Sequence, residues 1–158
     1  MKIKNQFFKT KGKDVWIFAF FIVQFFCFTL WGESIQIHVE HALTTKQKRI
    51  GLMNRRSLDE NQGMLFHYSK PRKVTFWSYH TLVDLSVAFL DEEHRIQEIK
   101  ALYASPKNEK AHEVSSSFPV SYVLEMNLGW FEKNDVQVGD KVEWDLNTDF
   151  ANIVKTKS

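Results

Sequence analysis

Residues 74–91 read Val-Thr-Phe-Trp-Ser-Tyr-His-Thr-Leu-Val-Asp-Leu-Ser-Val-Ala-Phe-Leu-Asp, and we expect the rest of the chain to be arranged around them. It contains two apolar runs, residues 74–77 and 83–90, joined by a polar corner. In the second run Val83, Leu85, Val87 and Phe89 alternate with Asp84, Ser86 and Ala88. A period of two predicts a strand with one buried face.

The polar corner holds the densest group of functional side chains in the chain: Trp77, Tyr79, His80, Thr81 and Asp84. Such a group at the end of a buried strand predicts the rim of a pocket. Its residue types do not by themselves specify a reaction.

The first 34 of the 158 residues have the layout of a targeting segment. Five lysines precede an apolar run over residues 15–32, as in a secretory signal. Two outcomes stay open: cleavage near Gly32 or Ser34, or retention of residues 15–32 as a membrane tether with Trp31 at the outer interface. Either outcome predicts an exported domain, periplasmic or otherwise extracytoplasmic.

The part of the chain from Ile35 onward has no cysteine, because the single one, Cys27, lies in the apolar run. We therefore expect no disulfide framework there, and a fold held by its core. Removing the five N-terminal lysines from the 21 basic residues leaves 16, and removing Asp14 and Glu33 from the 19 acidic residues leaves 17. This balance argues against a nucleic acid partner.

The first half of this part predicts a strand, a helix and a hairpin. Ile35, Ile37 and Val39 alternate with polar residues. Thr44 and Gln47 form a capping box for a helix that we expect to reach Asn54, with Gly51 inside it. A short strand over residues 64–66 and a loop around Pro71 follow, and the charged turn at residues 91–94 closes a hairpin onto residues 95–102.

The second half predicts two further strands. Residues 104–118 are polar and predict an exposed loop, residues 122–127 alternate, and Asn127 is placed to cap a helix over residues 128–133. Residues 142–146 form the last predicted strand, and residues 151–158 are expected to fray. The whole predicts one α+β, β-rich domain over residues 35–150, a mostly antiparallel barrel-like sheet with two short helices.

Several ordered blocks resemble a known family. They are Gln47-x-x-x-Gly51-Leu52-Met53-x-Arg55-x-x-Leu58, Gly63-Met64-Leu65-Phe66, Phe76-Trp77 with Thr81, Phe89-Leu90-Asp91, Tyr122 to Asn127, Gly129-Trp130 and Val138-Gly139-Asp140-Lys141-Val142. They closely resemble the domain of unknown function 192 family. The resemblance implies a small β-rich fold, often behind an export signal, and implies no settled activity.

The chain departs from the family pattern in the polar corner. After Phe-Trp the family usually has Met, a basic residue and Asn, where this chain has Ser78, Tyr79 and His80. The common Pro and Asp of the family are Asp84 and Ser86 here. If the family shares a site that uses these polar residues, this chain has lost or changed it.

No catalytic set, metal site or cofactor is expected. His38 and His41 are three apart in a strand and point to opposite faces, so they cannot hold one ion together. Glu125 shares a strand face with Val123 and Asn127, which predicts either a carboxyl with a raised pKa or a purely structural hydrogen-bond acceptor.

Three hypotheses follow, in order of preference. The first is a binding module for an unknown envelope ligand or protein, with Trp77, His80, Thr81, Glu125 and Asn127 as binding residues. The second is a structural domain without a ligand. The third is an envelope polymer hydrolase that uses Glu125 with Asp84 or His80 as acid and base, which requires these groups to meet in one cleft.

Overall fold

The computed structural model describes residues 34–106 and 110–156, so the predicted targeting segment lies outside the described residues except for Ser34. The described chain contains nine strands and two short helices. In order these are β1 (Ser34–Ala42), α1 (Thr45–Ile50), β2 (Gln62–Arg72), β3 (Thr75–Trp77), β4 (Leu85–Leu90), β5 (Ile96–Leu102), β6 (Glu113–Ser115), β7 (Val120–Asn127), α2 (Trp130–Lys133), β8 (Lys141–Trp144) and β9 (Phe150–Val154). The two helices of the described chain have six and four residues, and neither could span a membrane.

Seven strands form one sheet in the order β5-β4-β7-β2-β1-β9-β8, and β3 and β6 form a separate pair. All pairs are antiparallel except β1 with β2. The two edges of the large sheet approach each other, because the Ile96 amide donates to the Asp140 carbonyl over 2.9 Å and Arg95 bridges Lys141. The sheet is therefore a curled half-barrel, and the predicted β-rich, mostly antiparallel, barrel-like fold is confirmed.

Each face of the sheet covers its own apolar core. The concave core includes Val39, Leu65, Leu124 and Met126, and the core on the other face includes Phe66, Phe76 and Val123. β4 lies between them, so all six of its residues are buried. The predicted single buried face of this strand was wrong, because residues 86 and 88 also face covered surfaces.

Helix α1 begins with the predicted capping box: the Gln47 amide donates to the Thr44 hydroxyl over 3.2 Å, and the Gln47 side chain accepts from the Thr44 amide over 2.8 Å. The helix ends at Ile50, before the predicted end at Asn54. Gly51 has a φ of +51°, which turns the chain out of the helix. A Cβ on Gly51 would lie 3.6 Å from the Phe66 ring, so the turn also brings the chain close to β2.

The structure corrects three local predictions. Pro71 lies within β2 instead of a loop, beside a shift in the register with β7 between His67 and Arg72. Such irregularities tolerate a proline because a ladder hydrogen bond is already missing. Residues 113–115 form β6 within the predicted loop. Residues 150–154 form β9, although fraying was expected from residue 151 onward, because β1 and β8 pair with both of its edges.

Candidate functional site

A cleft of about 600 Å³ opens between α1, the residues that follow it, and the end of β2 with β3. Its lining combines an apolar wall, a buried carboxyl and a group of cations. The lining residues are Thr45, Lys48, Arg49, Ile50, Gly51, Leu52, Met53, Phe66, Tyr68, Arg72, Lys73, Val74, Thr75, Phe76, Trp77, Thr81, Leu85 and Glu125. The volume lies within the range of about 300–1,000 Å³ that is typical of small-molecule sites.

Glu125 is the buried acid of the cleft. It lies in the middle of β7, opposite Met64 of β2 and Val87 of β4, and its side chain is only 4 % exposed. Burial raises the pKa of Glu125 to about 8, so the carboxyl is mostly neutral at pH 7. Within the described residues its carboxyl makes no hydrogen bond, although it lines the cleft.

The wall beside Glu125 is apolar and aromatic. Phe66 and Phe76 meet edge to face, with ring centroids 4.8 Å apart, and Phe76 meets Phe89 behind them in the same way. Edge-to-face pairs hold aromatic rings in a fixed orientation. The wall is therefore a preformed apolar surface beside the Glu125 carboxyl.

Four cations line the same cleft: Lys48 and Arg49 from α1, and Arg72 and Lys73 from the end of β2 and the residue after it. The Lys48 ammonium lies over the Tyr68 ring, 4.8 Å from its centroid. Burial, and next the charge of Arg72, lower the pKa of Lys48, which places two like charges close together. Among the described residues, none of the four cations forms an ion pair.

Tyr68 connects the cations with the buried acid. Its phenol makes no hydrogen bond within the described part of the chain. Burial and the charge of Glu125 raise the pKa of Tyr68 to about 12, and Arg72 opposes this shift. The cleft thus has a polar sequence from the carboxyl through a neutral phenol to the cations.

The structure brings three of the five predicted binding residues into this cleft: Trp77, Thr81 and Glu125. His80 does not line it; its backbone has a φ of +54° and its ring stacks on Tyr79, with centroids 4.0 Å apart. Asn127 holds a loop instead, since its amide donates to the carbonyls of Leu58 and Asp59 over 3.1 and 2.9 Å. Asn127 also does not cap α2, whose N-cap is Gly129.

The family-atypical residues of the polar corner serve the fold. The buried Ser78 hydroxyl accepts from the His112 amide over 3.0 Å, and the Asp84 carboxylate accepts from the Ala104 amide over 2.7 Å. The Ser86 hydroxyl accepts from the Gly129 amide over 2.9 Å. These contacts fix the corner against neighbouring loops, and they leave Asp84 outside the cleft lining.

A second cluster, of histidine and aromatic rings, lies at the concave side of the sheet. His94 stacks on Trp144 with centroids 4.0 Å apart, and Tyr122 meets both rings. A His41 ring nitrogen (Nε2) lies 3.1 Å from the Thr148 carbonyl, and its other nitrogen lies 2.9 Å from the His67 Nε2. Because a carbonyl only accepts, neutral His41 donates to Thr148 and accepts the Nε2 proton of His67.

Within this cluster, His67 stays uncharged at neutral pH. Burial, and next the charge that His41 can carry, lower the pKa of His67 to about 4. Burial also lowers the pKa of His94. Among the described residues no group of three or more histidine, cysteine, aspartate or glutamate side chains is arranged to hold a metal ion.

The sequence did not identify the cations or Tyr68 as site residues. Residues 70–73, Lys-Pro-Arg-Lys, indicated only a loop with basic residues around Pro71, and Lys48 and Arg49 were not singled out within the predicted helix. Their common location depends on the crossover from β1 through α1 to β2. The available signal was an apolar strand, residues 64–66, that runs directly into a basic segment.

Residues 28–144 match the family DUF192, described as an uncharacterized ACR. No curated protein matches the chain. A structure of a protein of unknown function from Novosphingobium aromaticivorans is 32 % identical, with a TM-score of 0.61, over 68 % of this chain and 75 % of that one. A candidate transcription regulator from Sinorhizobium meliloti is 29 % identical, with a TM-score of 0.59, over 71 % of this chain and 94 % of that one.

Proposed function

The chain belongs to the DUF192 family, and from that premise we propose that it is an exported module that binds a small ligand in the cleft above Glu125. The observation that carries this proposal is the buried Glu125 carboxyl without a hydrogen-bond partner among the described residues. Among the described residues no fully buried side-chain oxygen or nitrogen lacks a partner, so the unpaired Glu125 carboxyl reaches the space of the cleft. A ligand in the cleft can therefore supply the hydrogen bond that the protein does not.

The composition of the cleft favours binding over hydrolysis. Hydrolysis of a glycosidic bond ordinarily needs two carboxyl groups that flank the bond. Among the described residues, Glu125 is the only acidic one that lines the cleft, and Asp84 and His80 lie outside the lining. An apolar wall with few polar groups is typical of a binding pocket.

Export is part of the proposal and depends on the basic and apolar N-terminal segment. Protease added to intact cells and to cells with a permeabilised outer membrane tests it. Digestion of the domain only after permeabilisation would support a periplasmic location. Full protection until the cells are lysed would contradict export, and N-terminal sequencing of the mature protein would separate cleavage from tethering.

A thermal-shift screen of a metabolite library against the full chain at pH 7 tests binding, with a non-ionic detergent present to disperse the apolar N-terminal segment. Ligands that form a hydrogen bond with Glu125 should raise the melting temperature of the wild type more than that of Glu125→Gln. The exposed Glu92→Gln is the matched control and should respond like the wild type.

The structural hypothesis predicts a different result. If Glu125 and Asn127 only hold the fold, Glu125→Gln and Asn127→Ala should both lower the melting temperature, and no ligand should distinguish either variant from the wild type. A screen without any stabilising compound, together with a destabilised Glu125→Gln, would refute the binding proposal.

A further inference from the structure

The cations of the cleft identify the chemical class of its ligand, an inference that depends on the proposed binding function. We propose that the ligand is a small organic anion, such as a phosphate or carboxylate with an apolar body. Its charged group binds between Lys48 and Arg49 on one side and Arg72 and Lys73 on the other. Its body lies along Phe66 toward Glu125.

The first argument is the missing counter-charge. Exposed cations usually cost little, since water solvates them. Here Lys48 and Arg72 come from different elements and line the same cleft. After burial, the charge of Arg72 is the second cause that lowers the pKa of Lys48. Among the described residues no carboxylate pairs with either of them. An anion between the two elements would convert this repulsion into two attractive contacts.

The second argument is the polarity along the cleft. A solvated basic surface would continue as polar surface, whereas these cations border an apolar wall that includes Phe66 and Phe76. A free inorganic ion would leave that wall empty. An anion attached to an apolar body occupies both regions, and arginine binds phosphate and carboxylate through two parallel hydrogen bonds.

The third argument is the inner end of the cleft. Glu125 and Tyr68 each present a hydroxyl group that can donate a hydrogen bond when neutral. Neither has a partner among the described residues. The inner end of the ligand should therefore carry an acceptor, such as a hydroxyl or carbonyl oxygen, and not a second negative charge.

Four probes with the same six-carbon body test the charge class: hexyl phosphate, hexanoate, hexanol and hexylammonium. Each is titrated calorimetrically into the full chain at pH 7, again with a non-ionic detergent and a detergent blank. We expect at least one anionic probe to bind at least tenfold more tightly than hexanol, and hexylammonium to bind most weakly. This preference should weaken as salt is raised, because ions screen the exposed cations.

Charge-removing variants locate the anion. Lys48→Gln and Arg72→Gln should each lower the affinity for the tighter-binding anionic probe at least tenfold. This is the size expected when one charge-assisted hydrogen bond is lost. Lys46→Gln is the matched control, because Lys46 lies on the same helix but does not line the cleft. Equal weakening in all three variants would indicate a general charge effect and would refute the site.

Failure of this inference can be distinguished from failure of the proposed function. Hexanol or hexylammonium that binds as tightly as the anions would refute the anion class while the cleft remains a ligand site. If none of the four probes binds, the inference is tested by the charge of any library compound that raises the melting temperature. A neutral or cationic compound would refute the anion class. The absence of binding by both the probes and the library would refute the proposed function itself.

Discussion

Glutamine in place of Glu125 should remove a pH dependence of stability that the buried carboxyl imposes on the folded chain. The pKa of this carboxyl is about 8 in the folded state and near 4.5 when the chain unfolds. Between these values the folded chain keeps a proton that the unfolded chain has released. The free energy of unfolding therefore falls as the pH rises from 4.5 to about 8.

The full difference between the two pKa values corresponds to about 5 kcal/mol, at about 1.4 kcal/mol for each pH unit. His67 acts in the opposite direction at lower pH. Its pKa is about 4 when folded and near 6.5 when unfolded, so its contribution to stability rises with pH across that interval. Above pH 6.5 the contribution of Glu125 is isolated, and stability should fall by about 2 kcal/mol between pH 6.5 and 9.

Equilibrium denaturation of the full chain by urea, at several pH values between 6.5 and 9, measures this fall. The wild type and the exposed Glu92→Gln control should lose about 2 kcal/mol, whereas Glu125→Gln should stay nearly constant. Tyr68, which interacts with the Glu125 charge, stays neutral in this interval with a pKa of about 12. The four cations line the same cleft, and burial is the cause of the raised pKa of Glu125. A Glu125→Gln variant that keeps the wild-type slope would refute the assignment of the proton to Glu125.

Three further substitutions test other features of the fold. Gly63→Ala should destabilise the chain by roughly 1–3 kcal/mol in urea denaturation, because the new Cβ would lie 2.4 Å from both the Glu125 carbonyl oxygen and the Met126 sulfur. An unchanged midpoint of the urea transition would contradict this packing. Asp140→Ala should lower the stability by roughly 1–3 kcal/mol in thermal unfolding, since the buried Asp140 carboxylate accepts from the amides of Gln137 and Thr156 over 2.9 and 2.8 Å. A loss as small as that from replacing an exposed aspartate would show that these two hydrogen bonds do not stabilise the fold. As the pH falls from 6.5 to 4, the stability contributions of Glu125 and His67 oppose each other and nearly cancel in the wild type. His67→Phe removes the destabilising contribution, so the variant should gain stability relative to the wild type over this interval in urea denaturation. An unaltered acid profile would show that His67 does not take up the proton.

The sequence predicted the parts of the fold that local patterns determine. Alternation identified β1 and β7, the Thr44–Gln47 pair located the start of α1, and the charged turn joined β4 to β5. Each of these signals depends on neighbours within a few residues, so no tertiary information is needed to read it.

The missed elements depend on partners far away in the chain. Residues 150–154 form a strand because β1 and β8 pair with its two edges, and a five-residue polar-flanked segment shows no such partner in its own sequence. Asn127 has a good capping residue type, but its amide is used by the loop carbonyls of Leu58 and Asp59. A cap would use the side-chain oxygen of Asn127 as an acceptor, and residue type alone does not reveal that the helix begins two residues later, after Gly129.

The sequence predicted only part of the candidate site, because the other part also depends on residues far apart in the chain. Glu125 drew attention as a carboxyl among apolar neighbours on one strand, which is a local signal. The cations became visible only when α1 and the end of β2 met across the cleft. His80 and Asp84 were attractive by type, yet backbone contacts determine where they lie.

The pairing of the first described strand with the last also constrains how the chain can be made. Ser34 of β1 lies opposite Val154 of β9, and β8 joins the large sheet by pairing with β9. Before β9 has been synthesised, this edge of β1 is unpaired and β8 has no strand of the large sheet to pair with. Folding must wait for contacts between distant parts of the chain, which makes it slow relative to that of locally connected proteins. A nascent chain would thus lack this part of the sheet until β9 has been synthesised.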